Sequence, residues 1–309
     1  MTESGWLAAP ERRPLPRRTP VADLFEEAFR LYRRGFVTML VVFGAFEIPF
    51  VLANLPLTIL QARSSQAQFE SNAFPYVGPE WSDALGGQLL VYLLLLMTTA
   101  ALALLLLSLA AGGVTVVAGA ARTGGAINAS EAFAALRGAS RRLIGLVLIL
   151  AGGLVVISLP FAAAALVEIT AFGDNLGLTF GLLALLGLGL MVLLVFLGAR
   201  LAVAIPALVL ERLDPMSAMR RSWNLVRGST WRVIGIVYLA VLLIGLVGSF
   251  MPMLLVPGLY RGLLTGSVDS YVQLALVSGA VNLVLGPILP TLVAVLFFDL
   301  AREPAEGAS

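Results

Sequence analysis

The chain of 309 residues contains no cysteine, no histidine and no lysine. Without cysteine there are no disulfides, thiolate metal ligands or thiol nucleophiles. Without histidine, imidazole acid–base chemistry, the usual catalytic triads, histidine-ligated haem and the commonest zinc ligand are all excluded. Only a carboxylate-bound metal remains among the catalytic ions. Charge is scarce as well, at 12% of residues, where a soluble domain carries about 25%. The sequence also lacks a phosphate loop, a Walker motif and a dinucleotide fingerprint. These absences argue against an enzyme, and no cofactor is expected.

What is present is apolar. Hydrophobic residues make up 59% of the chain, and they fall in six long runs, about 36–60, 89–118, 143–167, 177–210, 231–257 and 271–300. Each is long enough to cross a bilayer, which takes about 20 residues. Proline and polar residues interrupt several of them: Glu47, Pro49, Asn54 and Pro56 in the first, Pro160 in the third, Arg200 and Pro206 in the fourth, Pro252 in the fifth, Pro287 and Pro290 in the last. Proline in a spanning helix removes a backbone donor and kinks or breaks the helix. Residues 61–84 are expected to form a polar loop carrying the aromatic residues Phe69, Phe74, Tyr76 and Trp81, which suit a membrane–water interface.

Three shorter amphipathic stretches precede the first, third and fifth runs. In the third, Asp214 is placed to cap a helix and Pro215 takes the first helical position. Met216, Met219, Trp223 and Val226 then share one face, while Ser217, Arg220, Arg221, Asn224 and Arg227 share the other. Gly228 ends the helix and Trp231 opens the next span. The first stretch begins at Thr19-Pro20, with Leu24, Phe25, Ala28, Leu31 and Tyr32 opposite Asp23, Glu26, Glu27, Arg30, Arg33 and Arg34. The second begins at Asn128, which with Glu131 forms a capping-box pattern, and sets Phe133, Leu136 and Leu143 against Arg137, Arg141 and Arg142. We expect an elbow helix lying on the membrane surface before each of these spans.

Arginine counting gives an orientation. Seventeen of the 20 arginines fall before the first run, in the 119–142 and 211–232 connections or after the last run; only Arg63 and Arg261 fall on the other side, and Arg200 lies within a run. By the positive-inside rule both termini and all three elbows face the cytoplasm. Residues 1–18, rich in proline and arginine, are expected to be a disordered cytoplasmic tail, with no apolar stretch placed to make a signal peptide.

The fold class expected is therefore all-α: a polytopic integral membrane protein with six spans arranged as three hairpins, each preceded by an elbow. A single membrane domain covers 19–303, with loose repeats at about 19–122, 123–209 and 210–303 and a short tail at 304–309. Ala28-Phe29, Ala132-Phe133 and Ala218-Met219 align across the elbows. Duplication and the common physical demands of an elbow explain this equally well.

Two intramembrane charges stand out. Glu47 and Arg200 each lie about 15 Å from the cytoplasmic edge at 1.5 Å rise per residue, so an ion pair between the first and fourth spans is geometrically allowed. A charge at that depth costs several kcal/mol unless paired or hydrated. The pair is read either as structural or as a substrate or proton site. Arg30, Arg33, Arg34, Arg137, Arg141, Arg142, Arg220, Arg221 and Arg227 are candidate contacts to anionic lipid headgroups. Trp81, Trp223 and Trp231 are candidate interfacial anchors. Asp299 and Arg302 are expected to form a local pair. The glycines of 112–113, 152–153 and 181–189 suit close helix packing.

PALVLERLDPMSAMRRSWNLVRGSTWRVIGI at 206–236 and PILPTLVAVLFFDLARE at 287–303, with FEEAFRLYRRGF near the start, resemble the bacterial membrane-domain family named after glycerophosphoryl diester phosphodiesterase. The resemblance runs from about 20 to 303 and is most specific at RRSW followed by RGSTWR. The family name comes from members fused to a soluble phosphodiesterase that works through histidine and carboxylates around a metal. With no histidine here, the resemblance implies the membrane domain alone, its fold and a location in the bacterial inner membrane, and not the phosphodiesterase activity.

The expected role is that of a non-catalytic integral membrane protein. It would be a scaffold, regulatory or lipid-organising domain whose partners are anionic membrane lipids and another membrane protein, not nucleic acid. The alternative is a transporter or permease subunit moving a lipid-like or amphiphilic substrate past Glu47 and Arg200. The two separate on whether a wet cavity exists at mid-membrane.

Overall fold

The computed structural model describes residues 19–70, 81–172, 176–264 and 267–302. The expected tails at 1–18 and 304–309 lie outside them, as do residues 71–80 of the loop expected between the first two spans. The described residues are helices and turns, with no strand among them.

The described residues form ten helices, in order: α1 (Val21–Glu70), α2 (Trp81–Arg122), α3 (Ala129–Phe172), α4 (Leu176–Leu201), α5 (Ala204–Leu210), α6 (Pro215–Val226), α7 (Thr230–Leu255), α8 (Leu259–Leu264), α9 (Val268–Leu285) and α10 (Ile288–Ala301). They supply six stretches long and apolar enough to cross a membrane, with α4 and α5 forming one and α9 and α10 another.

Several expected boundaries move, each for a local reason. The first two elbows are not separate helices. α1 runs unbroken from its arginine-bearing start into the first span, and on through Pro49 and Pro56 to Glu70, so residues 61–70 are helix and not loop. α3 is likewise continuous from Ala129. The only glycines at these expected joints are single ones, Gly35 and Gly138, and one glycine costs a helix only about 1 kcal/mol. The third elbow alone is a helix in its own right. Between α6 and α7 the chain turns at Arg227 to Ser229, with the Arg227 N–H bonded to the Asn224 carbonyl and the Ser229 N–H to the Val226 carbonyl.

The breaks inside spans four and six follow their prolines. Pro206 has no N–H for the Ala202 carbonyl, and its ring crowds that carbonyl. The helix accordingly stops at Leu201 and restarts at Ala204, which leaves Pro206 in the first turn, where the missing donor is harmless. The last span breaks at Gly286-Pro287. There the Val284 carbonyl accepts from Tyr32 Oη at 2.6 Å, and the Pro287 carbonyl from Thr291 Oγ1 at 2.8 Å.

Two expected caps form. The Asn128 N–H donates to Glu131 Oε2 at 3.0 Å, and the Glu131 N–H returns to Asn128 Oδ1 at 2.9 Å. Asp214 Oδ2 accepts from the Ser217 N–H at 3.1 Å, with Pro215 at the first helical position.

Burial gathers at the arginine-bearing end. Leu24, Leu31, Leu143, Leu208, Ile236 and Leu296 belong to one core, and Met39, Val42, Phe43 and Val114 to a second beside it. Further along the spans the side chains turn outward: Leu148, Leu185, Leu242 and Leu254 are all well exposed. The apolar window of the fourth span is 6% buried, against 39% for the last. In lipid such surface needs no protein cover, since hydrocarbon solvates it.

Gly112 and Gly113 act as expected. A Cβ at Gly112 would meet Leu143 at 2.7 Å, and one at Gly113 would meet Val42 at 2.4 Å, so α2 approaches both α3 and α1 on these two positions. Gly152, Gly153, Gly181 and Gly187 face open space and pack no neighbouring helix.

Candidate functional site

The functional features concentrate where α4 ends, α6 docks and α7 begins. Arg200 is the second-last residue of α4, just before the break inside the fourth apolar stretch. That stretch runs on past Leu201 through α5 to Leu210. The Arg200 guanidinium stacks over the rings of Trp223, 4.8 Å from its centroid, and Phe196, 5.2 Å from its centroid. Its Nη1 lies 3.5 Å from the Trp223 carbonyl. Ser222, fully buried, donates from Oγ to the Arg200 carbonyl at 2.8 Å. Arginine and serine together fasten α6 across the end of α4.

The face by which α6 docks is not the one its Met and Trp residues suggest. Ala218, Ser222 and Val226 are the buried residues of the helix, while Met216 and Trp223 stay exposed at 46% and 38%. Small side chains let the helix lie close against the bundle, Met219 packs part-buried against the core, and Met216 and Trp223 are left facing outward. Val226 is the one residue of the expected apolar face that is buried.

Glu47 has a different partner from the one expected. Only 3% of it is exposed, and Oε1 accepts from Asn282 Nδ2 on α9 at 2.7 Å. Oε2 is buried without a hydrogen bond. The Glu47–Arg200 pair does not form. Glu47 also borders a cavity of about 220 Å³ between α1 and α9, otherwise lined by apolar residues such as Val51, Leu276 and Leu283. Asn54, another polar residue of the first run, bonds to its own helix through the Phe50 carbonyl at 2.8 Å.

The candidate headgroup arginines divide into two sets. The side chains of Arg30, Arg33, Arg34, Arg137, Arg141, Arg220 and Arg227 are exposed and make no hydrogen bond or ion pair among the described residues. Arg142 and Arg221 are occupied within the protein. The Arg142 guanidinium donates to the carbonyls of Arg212, Leu213 and Gly138, holding the α5–α6 connection where Arg212 adopts φ 55°. Arg221 grips Glu211 with Nε and Nη2, at 3.1 Å and 3.0 Å. Of the expected anchors, Trp231 is 84% exposed at the start of α7, Trp223 is half-exposed against Arg200, and the side chain of Trp81 lies outside the described residues.

Sequence reasoning missed a second charged junction. Asp299 does not pair locally with Arg302. Its Oδ2 accepts from Arg232 Nη1 on α7 at 2.9 Å, and its Oδ1 accepts from the Thr19 hydroxyl at 2.5 Å. Arg232 Nη2 completes the set on the Thr19 carbonyl at 2.6 Å, so Thr19 binds across the bundle. Nearby, Arg122 lies 3.6 Å from Glu27 and stacks 4.3 Å over the Phe298 ring. The available signal was two opposite charges placed at the same end of two spans.

Residues 174–301 match the family model for the membrane domain of glycerophosphoryl diester phosphodiesterase. The match takes in α4 to α10, and with them nearly all of both long stretches that carry the resemblance; FEEAFRLYRRGF lies outside it. No curated protein and no solved structure matches the chain.

Proposed function

We propose, from the premise of that membrane-domain match, that this chain is a non-catalytic integral membrane protein that organises anionic lipid and holds a membrane partner at the cytoplasmic leaflet. The spans pair as three hairpins. The arginine-bearing starts of α1 and α3 and the separate helix α6 serve as its elbows, and both termini lie in the cytoplasm of a bacterial cell. The observation that carries this reading is the division among the arginines. Arg122, Arg142, Arg221 and Arg232 bind the protein to itself, while the side chains of seven others stand exposed on the same end with no partner among the described residues. Positive charge displayed in this way attracts anionic headgroups by about 1 kcal/mol per residue. The lack of histidine and cysteine in the chain supports a role without catalysis.

One observation favours the alternative of a transporter or permease subunit. Glu47 carries an unpartnered carboxylate oxygen beside a cavity at the α1–α9 contact, and such a group at membrane depth is often functional.

The test is topology together with lipid preference. The chain has no cysteine, so Thr123→Cys and Arg63→Cys report without background. An impermeant maleimide should label Arg63→Cys on intact cells and Thr123→Cys only after lysis. In detergent, Arg137→Glu/Arg141→Glu should reduce the anionic share of copurifying lipid. Inverted labelling, or an unchanged lipid profile, would refute the proposal.

A further inference from the structure

Because α6 docks by its small residues, its long apolar face helps to wall a groove. Met216, Met219 and Trp223 form one side, α3 the second with Ile149 to Ile157, and α4 the third with Leu194 to Leu201. The groove has a volume of about 600 Å³. From residue 149 to 157 its α3 wall runs about 12 Å along the span, at 1.5 Å per residue. Its wall has one charged residue, Arg220, on α6. Arg220 is exposed and has no protein partner, whereas its neighbour Arg221 is held by Glu211.

We infer that this groove is a binding site for one anionic glycerophospholipid of the surrounding leaflet. The phosphate would sit on Arg220 and one acyl chain along α3 and α4 past Gly153. Charge and polarity together select this occupant. The groove has a cation at the elbow, an amphipathic indole at its rim, and an uninterrupted apolar wall along the spans. An apolar helix of another protein would fill the wall but leave Arg220 without an anion. Gly153 contributes space: a Cβ there would meet nothing within 4 Å, so the α3 wall is open where the chain would lie. The inference deepens the function proposed above and rests on it, because the elbow must lie at headgroup depth.

The test is native mass spectrometry of the full chain in detergent, titrated with phosphatidylglycerol or phosphatidylcholine. The wild type should retain one phosphatidylglycerol in preference to phosphatidylcholine by roughly fivefold, the equivalent of about 1 kcal/mol from one arginine. Gly153→Leu should lose the retained lipid, because its side chain occupies the groove. Gly152→Leu, at an equally open position that does not line the groove, should keep it, which controls for folding. Arg220→Ala should abolish the preference between the two lipids. Equal retention by wild type and Gly153→Leu would overturn the inference. So would loss of a copurifying protein from Gly153→Leu in place of lipid, which would assign the groove to a partner helix. If only the groove variants fail to behave as expected while Arg137→Glu/Arg141→Glu still lowers the anionic share of copurifying lipid, the site is wrong and the function proposed for the domain stands. If that double variant has no effect either, both fail.

Discussion

Arg232 on α7 donates to Asp299 on α10 at 2.9 Å, and both also bind Thr19, two residues before α1. Three segments far apart in the chain are thereby joined at the arginine-bearing end. The side chains of the pair are only 17% and 13% exposed. Truncating one partner of such a charged hydrogen bond should cost about 1.5–3 kcal/mol. Arg232→Ala and Asp299→Ala should each lower the unfolding midpoint in detergent, and the double variant should be much less destabilised than the sum. Additive losses would show that the two do not interact.

Helix approach on Gly112 and Gly113 sets the α1–α2–α3 contacts. Gly113→Val would place a Cβ 2.4 Å from Val42 Cγ1, and overpacking of this kind costs about 1–3 kcal/mol. Gly152→Leu meets open space and should be neutral. Thermal melts of the two purified variants would check the contrast.

Two arginines that look alike in sequence should differ in weight. Arg142 holds two carbonyls of the α5–α6 connection, so Arg142→Ala should cost about 1.5–3 kcal/mol. Lysine should not restore it, because a point charge on a flexible stem does not reproduce the guanidinium fork. The Glu211–Arg221 pair is 30% and 42% exposed, and Glu211→Gln should cost under about 1 kcal/mol. The same melts, read side by side, would rank them.

The α6 cap should be sensitive to acid. Hydrogen bonds from the Ser217 side chain and backbone hold the Asp214 carboxyl below its ordinary value. A carboxylate lowered in the folded state contributes stability that is present above the unfolded pKa and is lost as pH falls through the folded one. Trp223 fluorescence should therefore report loosening of α6 at the acid end, below the usual carboxylate range. Asp214→Asn, which still caps but does not titrate, should lack that component. An identical acid profile in both proteins would contradict the assignment.

Much of this was legible in the chain. The six apolar runs, the caps at Asn128 and Asp214, and the breaks near Pro206 and Pro287 are local matters of periodicity and of missing N–H groups, which sequence carries directly. Pairings between spans were not legible. Glu47 finds Asn282 on α9, not Arg200, which stacks on Trp223 and Phe196, and only the folded arrangement of the helices shows that. The face by which α6 docks was not legible either. Hydrophobicity marks Met216, Met219 and Trp223, but close approach favours Ala218 and Ser222, and a lipid environment removes the penalty for leaving the larger side chains exposed.

The account turns on whether the bundle holds water at membrane depth. Val51→Cys, which lines the Glu47 cavity, and Asn54→Cys, three residues further along α1, should be probed in proteoliposomes with a small charged thiol reagent added from either side. Thr123→Cys and Arg63→Cys serve as reactive controls. A lipid-organising domain predicts that both controls label while positions 51 and 54 stay unreactive. Labelling at 51 or 54 would reveal an aqueous path beside Glu47 and would replace this account with that of a transporter.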